Sequence, residues 1–380
     1  MRSLIYSIAF VLIIVSGCKV QDYRTIPNPV SDKSINTNNP VESVKLNPLK
    51  NLYFGDLHVH TALSADAYAL GTLTSSDEAY RFAKGEEITI QGRKLKLRRP
   101  LDFCAITDHA EALGEMYMIQ QEGAPGHKAL IPSYIRGIFN ADSTINTKRQ
   151  QQLMKVGSKR LRNPKELEHP FFFRGYRTTA SGWQLHLSAT EAHYAPNSFT
   201  TLAGYEWTFG GGTRHMHRNI IFRDMMVPDF PLSSLELKNE DQLWNWLSEI
   251  SDSGATVLAI PHNTNVSNGG TFTAYNADSD SVNIRRAKLR QRFERLVEVH
   301  QEKGNSEVHE LLWRNDEFAD FENYTDHDPI EQNYVRYALK KGLEHQEHLG
   351  INPFKYGMIG STDTHFGTPG YTEEKTHPSQ

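Results

Sequence analysis

Apolar stretches of strand length recur along this chain, each running into histidine or carboxylate, and that repetition constrains the fold more than any other feature. The first is Gly55-Asp56-Leu57-His58-Val59-His60-Thr61, whose alternation suits a short strand. Successive strand side chains face opposite ways, so His58 and His60 share one face, and two imidazoles on one face make half of a metal site. Alone, such a pair more often describes ordinary polar residues at a sheet edge. The later stretches give it weight. Phe103 to Thr107 leads into Asp108-His109, and Phe199 to Trp207 carries Glu206 near its end. Gly210-Gly211-Gly212 joins that strand to His215 through Phe222, where His215 and His217 share a face and Arg218 takes the other. Thr256 to Asn263 ends at His262, and Leu296 to Gly304 repeats the pattern. Tyr356 to His365 closes it, with Asp363 and His365 in the geometry of the opening pair.

Helices are expected between these strands: Ser76 to Lys84, capped by Ser76 or Asp77, then Trp183 to Tyr194 and Asn239 to Ser251. Strand and helix units whose polar residues gather at the strands' C-terminal ends describe a β/α barrel, because those ends form one rim. A doubly wound sheet is the alternative, but it would collect ligands at one switch point rather than from six or seven strands.

At 380 residues the chain has room for one large or two modest cores, and its net charge of -4 gives no general attraction to nucleic acid. Its 17 histidines are the compositional feature that matters, since imidazole is the commonest metal ligand. Arg2 and the apolar run Leu4 to Val15 read as a secretory signal, too short to span a bilayer. Val15-Ser16-Gly17-Cys18 resembles the bacterial lipobox, so residues 1–17 are expected to be removed and Cys18 lipidated; the alternative is a plain signal peptide cut near Gly17. Lys19 follows Cys18 where inner-membrane retention would use aspartate, which points to a cell-envelope protein anchored in the outer membrane of a Gram-negative cell. Residues 18–50 read as a flexible tether and 51–380 as the folded domain, with an insertion at about 114–182 as a candidate lid. The basic segment Lys155 to Arg162 in that insertion reads as a solvated helical face. With Cys18 acylated, Cys104 has no disulfide partner and reads as a small core residue.

The motifs GDLHVHT, ITDH, Glu206 ending a strand, IPHN and GSTDTH together resemble the PHP superfamily of metal-dependent phosphoesterases. TDHAE, GYEWT, HRNIIF, IPHNTN and QEKGNSE are similar in particular to its long bacterial branch, DUF3604, over roughly Asn51 to Gly370. The resemblance implies an α/β fold, a distorted (β/α)7-type barrel, holding two to three divalent ions. It assigns nine ligands: His58 and His60; Asp66, where many relatives carry a third histidine; His109; Glu206 as the bridging carboxylate; His217 and His262; Asp363 and His365. Glu206, Asp66 and His109 are the catalytic candidates, and His215 competes with His217 for its role. Relatives continue well past the DTH motif, whereas fifteen residues follow His365 here, so a truncated C-terminus is expected.

Imidazole and carboxylate donors without thiolate fit zinc, manganese or iron. Clustered ions of this kind lower the pKa of a bound water, supply hydroxide near neutral pH and neutralise phosphoryl oxygens. Asp56 and Asp108 are expected to orient imidazoles from behind. On Val297 to Lys303, period-two geometry sets Gln301 and Lys303 on the face opposite Glu298 and His300. Gln301, Lys303 and Asn263 are therefore the expected substrate contacts. The expected activity is hydrolysis of small phosphate esters, with membrane contact through the lipid anchor only and no nucleic-acid partner. Hydrolysis of another ester or amide, or a non-catalytic extracytoplasmic binding role, are the alternatives.

Overall fold

A computed structural model describes residues 47–90, 92–118, 176–210, 214–273, 281–324 and 328–372. The expected signal peptide, the lipidation site Cys18, nearly all of the tether and most of the insertion, with its basic segment, lie outside the described residues.

The described chain is a mixed α/β structure of seven α-helices and four small sheets. In one sheet β1 (Gly55–Asp56), β4 (Phe103–Ala105) and β5 (Thr200–Leu202) run parallel in the order β1-β4-β5. A second has β6 (Gly204–Phe209), β7 (Met216–Phe222) and β8 (Val257–His262), each antiparallel to its neighbour. In the third, β9 (Leu296–Gln301) pairs in parallel with β11 (Gly357–Gly360) and antiparallel with β10 (Gly304–Asn305). A hairpin of β2 (Ile88–Ile90) and β3 (Arg93–Leu95) stands apart. No closed, continuously hydrogen-bonded barrel is present among the described residues; single parallel bridges, Val59 to Thr364 and His109 to Glu206, join the sheets next to the histidine motifs.

Three departures from expectation have local causes. The run Phe199 to Trp207 is two strands, broken at Ala203, because the chain passes from the first sheet to the second there. Gly204 makes this passage possible: a Cβ on it would lie 2.9 Å from the Ile220 carbonyl oxygen. Strand β7 is antiparallel, since the connection from Phe209 to Met216 is too short for a crossover. His217 therefore sits near the start of its strand, and the rule that ligands lie at C-terminal ends fails there. The opening strand's ladder ends at Asp56, so His58 and His60 lie in the extended segment beyond it.

The helices are α1 (Ala65–Ala69), α2 (Ser76–Ala83), α3 (Glu115–Met118), α4 (Tyr176–His193), α5 (Glu240–Asp252), α6 (Ser281–Phe293) and α7 (Val335–Leu349). Helix α2 is capped by Ser75, not Ser76 or Asp77: its hydroxyl accepts from Glu78 N while the Glu78 carboxylate accepts from Ser75 N. Helix α4 starts before Trp183, so residues 176–182 belong to the helical layer rather than to the insertion. Gly114 and Gly182, the expected ends of that insertion, meet so closely that a Cβ on Gly114 would lie 3.3 Å from Gly182 Cα. Helix α5 has the Asn239 cap and an apolar stripe of Leu243, Trp244, Trp246, Leu247 and Ile250, spaced to face one side. That stripe packs with Trp183, Tyr205, Trp207 and Phe222 in the main core, each such side chain contributing about 1.5–3 kcal/mol on burial. A second core of Phe272, Val297, Val335 and Phe354 lies between β9 and the helices α6 and α7. Cys104 is a free, buried thiol in the parallel sheet.

Candidate metal centre

All nine residues expected to hold metal converge. Their donor atoms, together with those of Glu302, form four groups within which every atom lies inside 4.8 Å of the others: His60, Asp66, His109 and His365; His58, His60 and Glu206; Glu206, His217 and His262; and Glu302, Asp363 and His365. His60, Glu206 and His365 each belong to two groups, so the groups form one continuous centre. Glu206 lies between histidine sets. Its Oε2 is 3.2 Å from both His58 Nε2 and His60 Nε2, and its Oε1 is 2.7 Å from His217 Nδ1, 3.3 Å from His262 Nε2 and 3.4 Å from His109 Nδ1. Asp363 Oδ1 lies 3.1 Å from His58 Nε2 and 3.0 Å from His60 Nε2. Asp66 Oδ2 pairs with His109 Nε2 at 2.8 Å and His365 Nε2 at 3.1 Å. His217, not His215, takes the Glu206 contact; His215 stands behind it, ring to ring at 5.2 Å.

Protein groups satisfy only part of this arrangement. His58 Nε2 and His60 Nε2 lie within hydrogen-bonding distance of each other at 3.3 Å, and the other nitrogen of each ring is engaged by Glu298 and Ser64 respectively, so these two rings are satisfied. Both ring nitrogens of His262 and Asp363 Oδ1 are buried and make no well-directed hydrogen bond, although His262 Nε2 lies 3.3 Å from Glu206 and Asp363 Oδ1 3.0 Å from His60. Buried polar atoms are nearly always paired, so donors converging on common points without full pairing fit a divalent cation. Backbone conformation also marks the site: Asn263, just after His262, and Asp363 both take left-handed φ, at 54° and 55°. Asn and Asp tolerate that region better than other non-glycine residues, and such positions cluster where function demands them.

The electrostatics point the same way. Burial alone would raise Glu206, yet His109, His262 and His217 outweigh it and hold the carboxyl well below its usual range. Asp66 is held low against burial by His109 and His365, and Asp363 by His58 and Lys303. The histidines diverge. Burial drives His217 down to about 3, and burial with His58 lowers His262, so both are neutral and ready to ligate. For His109 burial is overcome by Asp66 and Glu206, which lift it to about 9, and Asp363 and Glu298 likewise raise His58 against burial. Protons on these rings balance carboxylates that cations would balance equally well.

The supporting residues differ from those expected. Asp56 and Asp108 touch no imidazole; they grip backbone. Asp56 accepts from His58 N, Thr362 N and Oγ1, and Gly370 N, and Asp108 accepts from Thr61 N and Oγ1. Imidazole orientation comes instead from Glu298 on His58 at 3.1 Å, Ser64 on His60 at 3.0 Å, Thr208 on His109 and the Asp363 carbonyl on His365 at 2.8 Å. Glu298 and Glu302 are the acidic residues that the expected ligand set lacks. The inward face of β9 carries Glu298, while Val297 and Val299 pack outward, so the alternation was legible and its sense was not. The expected substrate contacts are also engaged elsewhere. Gln301 and Asn263 are buried and hydrogen-bonded to each other, and Lys303, beyond the end of the strand, reaches back to Asp363 and Glu302.

Residues 47–380 match the model of the family DUF3604, described as a protein of unknown function, and the chain belongs to that family. No curated protein and no solved structure matches it.

Proposed function

We propose that the protein is a metal-dependent hydrolase of small phosphate esters, a PHP-type enzyme whose strands form a distorted barrel around a multinuclear centre of zinc, manganese or iron. The observation that carries the reading is the run of four donor groups sharing His60, Glu206 and His365, with buried donors left without full pairing. Ions bound there would supply a nucleophilic water near neutral pH and offset charge on a phosphoryl group.

The chain's own residues set the rest. His58, His60, Glu206 and His262 are buried at 0–1 % exposure and form the floor, whereas Asp66 at 39 % and His109 at 15 % line the open side, so substrate enters past that pair. Asp66 Oδ2 and His109 Nε2, 2.8 Å apart, would hold an ion at the mouth of the site, beside the entering group. Thr208 fixes His109 from behind, which keeps its Nε2 aimed at Asp66. Secretion and a lipid anchor at Cys18 would put this activity at the cell envelope; a membrane-fraction assay comparing wild type with Cys18→Ser tests that part, and equal solubility of the two would contradict it.

The test of the activity is a panel of phosphomonoesters, phosphodiesters, sulfate esters, carboxylic esters and amides, with the full chain loaded with each metal in turn. Turnover of phosphate esters that disappears with chelation supports the reading. Turnover confined to carboxylic esters or amides would replace it with a different hydrolase, and tight metal binding without turnover of any class would leave a binding protein.

A further inference from the structure

The fourth donor group differs from the other three. Glu302 Oε1 lies 3.2 Å from His365 Nδ1, and between Glu302 and Asp363 stands the Lys303 ammonium, 3.2 Å from Glu302 Oε1 and in closer contact with Asp363 Oδ2. Among the ion pairs of the described residues, no other Lys or Arg touches the centre. The remaining groups are built of histidine and carboxylate alone.

We propose that Lys303 is a tethered cation standing in the position that Glu302, Asp363 and His365 would otherwise offer to a metal ion, so that the centre binds one ion fewer than its donors allow. The inference rests on the metal-centre reading above. Several contacts hold the ammonium there. Lys303 N donates to Gln301 Oε1, Gln301 Nε2 donates to Asn263 Oδ1, and Asn265 Nδ2 donates to the Lys303 carbonyl at 2.8 Å. From the other side Glu302 N donates to the Thr362 carbonyl at 3.3 Å. The turn after β9 is thus clamped between two strand ends, which accounts for the buried Gln301 and Asn263. Lysine suits the role because its ammonium is a compact point charge on a flexible stem, about the size of an ion and with no bulk beyond it.

The consequence falls on Asp363. With Oδ2 held by the ammonium, Oδ1 alone is left, buried and 3.0–3.1 Å from the Nε2 atoms of His60 and His58. Lys303 thereby makes Asp363 a one-oxygen ligand and fixes which side of it a metal ion meets. It is a positioning residue that sets the number of ions, and an ordinary salt bridge would have no such effect.

Metal content separates the two. The full-length wild type, Lys303→Met, Lys303→Gln and the double variant Glu302→Gln/Lys303→Met would each be equilibrated with excess manganese, and separately zinc, then desalted and counted by plasma mass spectrometry alongside a circular-dichroism check of fold. Both single variants are expected to carry one additional ion per chain relative to wild type, and the double variant to return to the wild-type count. A folded single variant with the wild-type count overturns the inference alone. A wild type that takes up no metal overturns the metal-centre reading and this inference with it.

Discussion

His217 and Arg218 are neighbours on β7 whose side chains enter two buried polar clusters of opposite character. Arg218 contacts Glu240 and, through Nε at 3.2 Å, Glu294; Arg290 Nε meets the other Glu294 oxygen at 2.9 Å. Trp244 Nε1 donates to Glu294 at 3.0 Å, and the Arg290 guanidinium lies over the Phe354 ring at 4.8 Å. Two guanidiniums face two carboxylates, and of the fully buried charged atoms in this set Arg218 Nη1 is the one without a hydrogen-bond partner. Against burial, Arg290 and Arg218 hold Glu294 low, an internal balance of charge. On the other face of the same strand, both His262 nitrogens and one Asp363 oxygen are buried with no well-directed hydrogen bond. Burial alone therefore does not identify a site. A polar cluster whose charges are largely matched within itself is structural, and one in which several buried donors converge without full pairing is suited to a cation.

The sharpest break between the two comes from paired substitutions. His58→Ala/His60→Ala should reduce turnover of any substrate to background and remove bound metal, with circular dichroism unchanged, because these rings contribute to two of the four donor groups. Arg218→Met should do the reverse. Leaving Glu294 and Glu240 without one cation costs about 3–5 kcal/mol of stability by denaturant titration, while the folded fraction keeps the wild-type metal count. Metal loss in Arg218→Met at full folding would erase the distinction between the clusters.

Glu298→Gln probes the border. Its carboxylate holds His58 Nδ1 at 3.1 Å, and loss of such a partner weakens metal affinity by about 10–100-fold, which competition with a chromophoric chelator would read. Unchanged affinity would make Glu298 a packing residue.

The smallest effect is a dependence on pH whose sign differs between individual histidines. His109 rises from 6.5 to about 9 on folding, so in the chelated protein its contribution to stability is complete below pH 6.5 and is lost as pH climbs through about 9. A bound cation replaces that proton, so the loaded protein should melt at a nearly constant temperature over this window and take up metal more tightly toward its upper end. His186, stacked on Trp183 away from the centre, falls to about 3 through burial, so the unfolded chain binds a proton there that the folded one does not. Stability should therefore decline as pH drops from 6.5 toward about 3, with or without metal. Melting curves of chelated and loaded protein across these windows check both signs; parallel curves above pH 6.5 would contradict the first.

Much of this site was legible in the sequence because its ligands come as spacings: His58 with His60, Asp363 with His365, and single residues at the ends of apolar runs. Period-two alternation fixes which residues share a face, and on β7 it separated His217 from Arg218 correctly. It does not say which face is inward, so Glu298 was set aside on a strand whose other face packs against the helices. Nor does it survive a turn: Lys303 follows the end of β9, and its reach to Asp363 depends on a bend that alternation does not encode. Antiparallel β7 and the break at Ala203 follow from connection length and a glycine's close approach, which are properties of pairing between strands. Asp56 and Asp108 sit where partners of imidazole were expected, but backbone amides of Thr362, Gly370 and Thr61 lie nearer.

A metal count on the wild-type chain tests most directly whether the cluster on the His217 side of β7 holds cations. Full-length protein, purified without chelator, equilibrated in turn with zinc, manganese and iron and then desalted, should retain two to three ions per chain of at least one of these metals, and lose them in His58→Ala/His60→Ala. Retention of no ion by the wild type, or the same retention by wild type and the double variant, would contradict the account.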